Sequence, residues 1–193
     1  MDQVSPGPGA EAPAAGRAKV ATIWLGGCSG CHMSFLDMDE RLIELARKIE
    51  LVFSPFVDAK DFPEGVDVVL VEGAVANDEH IHAVRKVRER SRYLISFGDC
   101  AVTGNVTAIR NALGRAEPVL QKAYIENVTL NPGIPEEEGI VPRLIDRVLP
   151  VHEVVPVDLY VPGCPPSADL IHFVLTELLA GRQPDLKDKL KYG

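Results

Sequence analysis

The sequence predicts an α/β fold, a flavodoxin-like doubly wound parallel sheet with helices on both faces, forming a three-layer sandwich. Three observations predict it. Short aliphatic runs alternate with stretches of helical periodicity along most of the chain. The run Val66-Asp-Val-Val-Leu-Val-Glu-Gly73 is continuously apolar, as expected of a strand covered on both faces. Finally, each of three cysteine-bearing loops directly follows a strand-like run, and sites in such sheets lie outside the carboxyl ends of the strands. The expected strand order is 2-1-3-4-5.

Residues 1 to 18 are rich in Pro, Gly and Ala without periodicity and read as a flexible arm. Order is expected to begin with the strand Val20–Leu25, followed by Gly26, Gly27 and a C-x-x-C turn. A helix over 32–48 follows, with Phe35, Met38, Leu42, Leu45 and Ile49 spaced three and four apart on one face. A second strand fits Leu51–Phe56 and a third Val66–Gly73. Asn77 and Asp78 are placed to cap a helix running to Arg90, with Ile81, Val84 and Val87 inward. Tyr93–Phe97 reads as the fourth strand. A short helix after it carries Val106, Ile109 and Leu113 on one side. Residues 122–141, with the proline- and glycine-rich stretch NPGIPEEEGIVP, read as an excursion rather than a second domain. The last strand is expected over Val155–Val161. Ser167 then caps a helix carrying Ile171, Val174, Leu175, Leu178 and Leu179, which Gly181 stops. The domain therefore spans 19–181, and 182–193 form a tail.

The chain has 193 residues, enough for one sizeable core. Its net charge of −8 argues against broad nucleic-acid binding, which requires a basic face. No apolar run reaches the length of a membrane span, and the N-terminus has no basic or apolar export segment, so membrane insertion and export are not expected. A cytoplasmic protein keeps its thiols reduced, and four cysteines there read as metal ligands or redox groups rather than disulfides.

Those four are Cys28 and Cys31 in IWLGGCSGC, Cys100 in ISFGDCAVTGN and Cys164 in LYVPGCPPS. A parallel sheet would bring their loops to one edge, and four convergent thiolates serve an iron–sulfur cluster or a zinc ion. Small residues surround them: Gly26, Gly27, Ser29 and Gly30 near the pair, Gly98 before Cys100, Gly163 before Cys164. Glycine lets backbone approach a cluster closely and aim N–H groups at it. Pro165 and Pro166 donate no N–H, and their expected role is to shape the loop. Structural zinc usually draws on two closely spaced pairs, whereas here the third and fourth ligands are far apart in sequence. A thioredoxin-like dithiol using Cys28 and Cys31 is the stronger rival, but it leaves Cys100 and Cys164 without a role.

Other residues carry weaker signals. Glu72 ends the third strand near the expected site, where an acid can relay protons or tune a cluster, or simply cap a helix. Asp99 reads as a neighbour of the site or a turn former. His32 follows Cys31 and could donate a hydrogen bond to it. His80, His82, His152 and His172 show no metal-ligand spacing. Arg85, Lys86, Arg88, Arg90 and Arg92 read as the wet face of a helix. No dinucleotide, phosphate-loop or nucleophile-elbow motif is present.

Taken in order, IWLGGCSGC, VEGAV, GDCAVTGN and VDLYVPGCPPS resemble the small subunit of nickel–iron hydrogenases, over about residues 20 to 181. The related quinone-site subunit of respiratory complex I shares the closing PGCPP loop but typically carries two adjacent cysteines at the first site. The resemblance implies that Cys28, Cys31, Cys100 and Cys164 ligate one proximal 4Fe–4S cluster. It also implies a nickel–iron centre in a separate large subunit, so that this chain relays electrons and holds no catalytic residue of its own. With no export signal, and no cysteine after Cys164, the chain resembles the single-cluster small subunit of cytoplasmic, bidirectional, NAD-linked hydrogenases. Their diaphorase partners carry further iron–sulfur clusters, FMN and the NAD site. The family often has an acid just after the second cysteine, where this chain has His32, Met33 and Ser34. That raises interest in Glu72 as a proton relay.

Overall fold

A computed structural model describes residues 16–190. Most of the arm expected over 1–18, and the last three residues of the expected tail, lie outside that range. In chain order the elements begin with β1 (Ala18–Trp24), α1 (Gly30–Leu36), α2 (Arg41–Ala46), β2 (Ile49–Phe53), β3 (Val66–Glu72), β4 (Val75–Asn77), α3 (Asp78–Arg90), β5 (Ser91–Phe97) and α4 (Asp99–Thr103). A 3₁₀ helix (Asn105–Leu113), α5 (Glu117–Gln121) and a π-helical turn (Lys122–Glu126) follow. Then come β6 (Leu144–Leu149), a 3₁₀ turn (Val151–Glu153), β7 (Leu159–Val161) and α6 (Ala168–Leu179).

The main sheet runs β2-β1-β3-β5-β7 and every pair in it is parallel. Counting only its own strands, this is the 2-1-3-4-5 order expected. Alternate residues of the strands feed two cores. Val20, Val68, Leu70, Ile95, Phe97 and Val161 pack with Phe35 of α1 and with Ile171, Val174 and Leu175 of α6. Ala21, Ile23, Val69, Val71 and Leu94 pack with Val84 and Val87 of α3. Helices thus cover both faces, which is why the central strands tolerate continuous aliphatic runs. Leu186 and Leu190 also rest against the first core, beyond the end of α6.

Several elements differ from expectation, each for a local reason. The single helix expected over 32–48 is two short helices, because Asp39 adopts φ 50° and turns the chain between them. Met38 and Leu45 still reach the same core, so the three-four spacing reports burial rather than one continuous helix. Ile49 belongs to β2, which begins and ends earlier than the expected Leu51–Phe56. The last strand is only Leu159–Val161, preceded by the turn at Val151–Glu153 and the irregular stretch around Pro156. The helix after Cys100 is split, and its apolar stripe does not face inward: Val106, Ile109 and Leu113 are 52%, 70% and 54% exposed. A second, two-stranded antiparallel sheet of β4 and β6 was not anticipated. Its strand β6 emerges from the expected excursion.

Helix α3 begins as expected. The Asn77 side chain accepts from the backbone N–H of His80 at 2.7 Å, and Asp78 and Glu79 lie in the first turn. Asn77→Ala is expected to lower stability by about 1 kcal/mol in urea unfolding, because that N–H loses its partner.

Candidate metal centre

The register of the sheet sets the site. Trp24 pairs with Glu72, Glu72 with Phe97 and Phe97 with Val161, so four adjacent strands end in one row. The loops leaving that row carry every cysteine. Cys28 and Cys31 follow β1, Cys100 follows β5 and Cys164 follows β7. All four are free thiols, with Cys31 and Cys100 buried and Cys28 and Cys164 exposed.

Backbone bonds knit the loops together. Gly98 N–H donates to Val161 O at 2.8 Å and Asp99 N–H to Gly163 O at 2.9 Å. The Asp99 carboxylate accepts from Gly163 N–H at 2.7 Å, so Asp99 ties the Cys100 loop to the Cys164 loop from both its main chain and its side chain. Ser34 Oγ donates to Pro166 O at 2.5 Å, joining α1 to the loop after Cys164. Asn105 Nδ2 lies 3.5 Å from Cys164 Sγ as a donor. Glycine leaves room where the loops converge: a Cβ on Gly98 would stand 2.2 Å from Cys31 Sγ and one on Gly163 would strike Pro166, while one on Gly30 would make a tight 3.2 Å contact with Cys28 Sγ. Gly27 sits against Gly73, one residue past Glu72.

The thiols also feel one another. The Cys31 thiol is pushed strongly upward, first by burial, then by Glu72, Cys100, Cys28 and Cys164. Burial also raises Cys100, opposed by a hydrogen bond with Thr107 and reinforced by Cys164, Cys28 and Glu72. A positively charged metal group relieves this mutual repulsion by holding the thiolates deprotonated. Yet among the described residues no three Cys, His, Asp or Glu side chains close around a point that a single ion could occupy. Four thiols on loops at one sheet edge are the ligand number of either an iron–sulfur cluster or a zinc ion.

The remaining candidates divide clearly. Glu72 lies beneath the C-x-x-C turn, only 2% exposed, and accepts from the backbone N–H groups of Cys31 and His32. His32 turns away from the cysteines, and its Nδ1 pairs with Glu72 Oε2. His80 accepts from Ala76 N–H in a separate part of the fold, and burial lowers its pKa. His152 packs edge-on against Tyr160. Arg88 is not simply wet: it binds Asp158 at 2.5 Å and the carbonyls of Ser91 and Arg92. Sequence reasoning missed the tethers Ser34 and Asn105. Their only signal was a small polar residue close to a cysteine.

A level-ended parallel sheet that carries four thiols on strand-end loops defines a class of α/β redox subunit. The chain belongs to the family described as NADH ubiquinone oxidoreductase, 20 kDa subunit, which matches residues 28–178. It is 44% identical over 179 residues to the delta subunit of the NAD-reducing hydrogenase HoxS of Cupriavidus necator, covering 91% of this chain and 85% of that one. It is 41% identical to a subunit of the F420-non-reducing hydrogenase of Methanothermobacter marburgensis, covering 88% of this chain but only 56% of that longer protein. Among solved structures, a chain of an NAD⁺-reducing NiFe-hydrogenase in the H2-reduced state superposes with a TM-score of 0.86 at 40% identity, covering 92% of this chain and 99% of that one. Among the described residues no helix is long and apolar enough to cross a membrane.

Proposed function

We propose that this chain is the electron-transferring small subunit of a cytoplasmic, NAD-reducing nickel–iron hydrogenase, with one 4Fe–4S cluster on Cys28, Cys31, Cys100 and Cys164. The observation that carries the reading is the row of level strand ends, which delivers four free thiols to one edge in a fold shared with an NAD⁺-reducing hydrogenase chain. Such a cluster supplies reversible one-electron transfer. Around it the chain's own residues do the positioning. Asp99 locks the third and fourth ligand loops together, Asn105 points an N–H at Cys164, and Gly98 leaves room for Cys31. The reading places the nickel–iron centre in a large subunit, and NAD, FMN and further clusters in diaphorase subunits. The likeness in sequence and structure to NAD-reducing enzymes supports that choice of partners.

A dithiol oxidoreductase using Cys28 and Cys31 is the competing reading. Such enzymes need only the two cysteines of the C-x-x-C pair, which leaves Cys100 and Cys164, on loops at the same sheet edge, without a role. Purification with retained partners decides between them. The proposal expects about four iron and four acid-labile sulfide per complex beyond those held by the partner subunits, with nickel and flavin in the partners. A colourless chain that reduces disulfides through Cys28 and Cys31 alone would refute it.

A further inference from the structure

The first turn of α1 has an unusual cap. Its N-cap residue Ser29 sits in the left-handed region at φ 65° and makes no side-chain capping bond. A carboxylate from another strand does that work. Glu72, at the end of β3, takes Cys31 N–H on Oε1 at 3.3 Å and His32 N–H on Oε2 at 3.0 Å. A carboxylate at a helix N-terminus is favourable both as acceptor and through the helix dipole.

The carboxylate is itself held. His32 Nδ1 pairs with Glu72 Oε2, and His32 Nε2 lies 2.8 Å from Thr22 Oγ1. Thr22 Oγ1 donates to Ser54 Oγ at 3.0 Å, and Ser54 Oγ also accepts from Phe56 N–H at 3.3 Å. The imidazole is fixed at both nitrogens. Trp24, Phe56 and Phe97 meet its ring edge-on at centroid distances of 5.2, 5.9 and 6.3 Å. His32 and Glu72 are 1% and 2% exposed, so water does not compete for these bonds.

We propose that Glu72 is the positioning residue of the Cys28–Cys31 turn, a capping carboxylate supplied across the sheet and locked in place by His32, Thr22 and Ser54. The strut ties the turn to β1, β3 and the end of β2 together, so the first two ligands move only with the sheet. It also commits the N–H groups of Cys31 and His32 to oxygen, withholding them from sulfur. Hydrogen bonds to sulfur raise a cluster's potential, so the cap keeps that potential low. This last consequence rests on the cluster reading above, whereas the strut itself does not.

The test uses the assembled complex with Glu72→Ala, Glu72→Gln, Thr22→Val and Thr22→Ser. Amide hydrogen exchange over residues 30–36 should speed up roughly tenfold or more in Glu72→Ala, because the turn loses its cap. Thr22→Val should give a smaller rise and Thr22→Ser should restore the slow exchange. In the variants that retain iron, the electron paramagnetic resonance spectrum of the reduced cluster should change and its midpoint potential should rise. Unchanged exchange in Glu72→Ala overturns the inference. If that variant does not fold, unchanged exchange in the nearly isosteric Thr22→Val overturns it. Absence of iron from the wild-type chain would sink the cluster reading alone, with the exchange data still deciding the strut.

Discussion

Cys100→Ser is expected to strip the chain of most of its iron and acid-labile sulfide, and to cut hydrogen-dependent NAD⁺ reduction by the complex more than the ~10–100-fold typical of losing an outer partner of a metal site. Cys100 is buried in the middle of the site and its loop is tied to the Cys164 loop through Asp99. Serine differs by one atom, can keep the hydrogen bond with Thr107, and leaves the Asp99 ties between the loops untouched. The loss therefore falls on metal binding and not on folding. The check is iron and sulfide analysis of the purified complex beside its thermal melt. Retention of a full cluster at an unchanged potential would remove Cys100 from the ligand set. The competing dithiol reading expects Cys100→Ser to leave activity intact.

Gly98→Ala is the second large effect, and it acts through geometry rather than chemistry. The new methyl group would sit 2.2 Å from Cys31 Sγ, and the backbone at φ +83° is one that side chains with a Cβ rarely adopt. Left-handed backbone costs on the order of 1–3 kcal/mol and forced overpacking a similar amount. The combined expectation is roughly 2–6 kcal/mol of destabilisation together with a displaced Cys31 sulfur. Gly114→Ala provides a contact-free comparison in a milder backbone conformation, with ψ −23° against 162° at Gly98. Its φ is +77° but no atom lies within 4 Å of the added methyl, so only the backbone cost applies, on the order of 1 kcal/mol. Urea unfolding of both variants, with iron content for each, checks the pair. Equal effects would show that the Cys31 contact carries no weight.

Sheet order and both cores were legible because continuous aliphatic strands leave few alternatives once helices alternate with them. The cap at Asn77 and the helix of Ser167 were legible because short polar residues before apolar periodicity have a local cause. The break at Asp39 was not, since the apolar spacing of Phe35, Met38 and Leu45 is satisfied by two helices as well as by one. Val106, Ile109 and Leu113 were legible as one side of a helix but not as an exposed ridge: periodicity reports an apolar face but not what covers it. Strand β6 was hidden because its pairing with β4 joins segments about seventy residues apart. At the site, the cysteines and glycines announced themselves and a helix cap was one of the readings of Glu72, while the particular turn it caps was not legible. That depends on strand register, which places a residue forty positions away directly beneath the turn.

The unequal burial of the four sulfurs has a thermodynamic consequence. Cys31 and Cys100 look into protein, while Cys28 and Cys164 look outward. A charge placed among them feels a low-dielectric wall on one side and solvent on the other. Covering the outer half with another protein surface would make every added electron costlier to accommodate, by an amount set by that surface's own dipoles. On the cluster reading proposed above, the redox poise of the centre is set by the assembled contact: this chain supplies one wall of the well, and a docked surface would complete it.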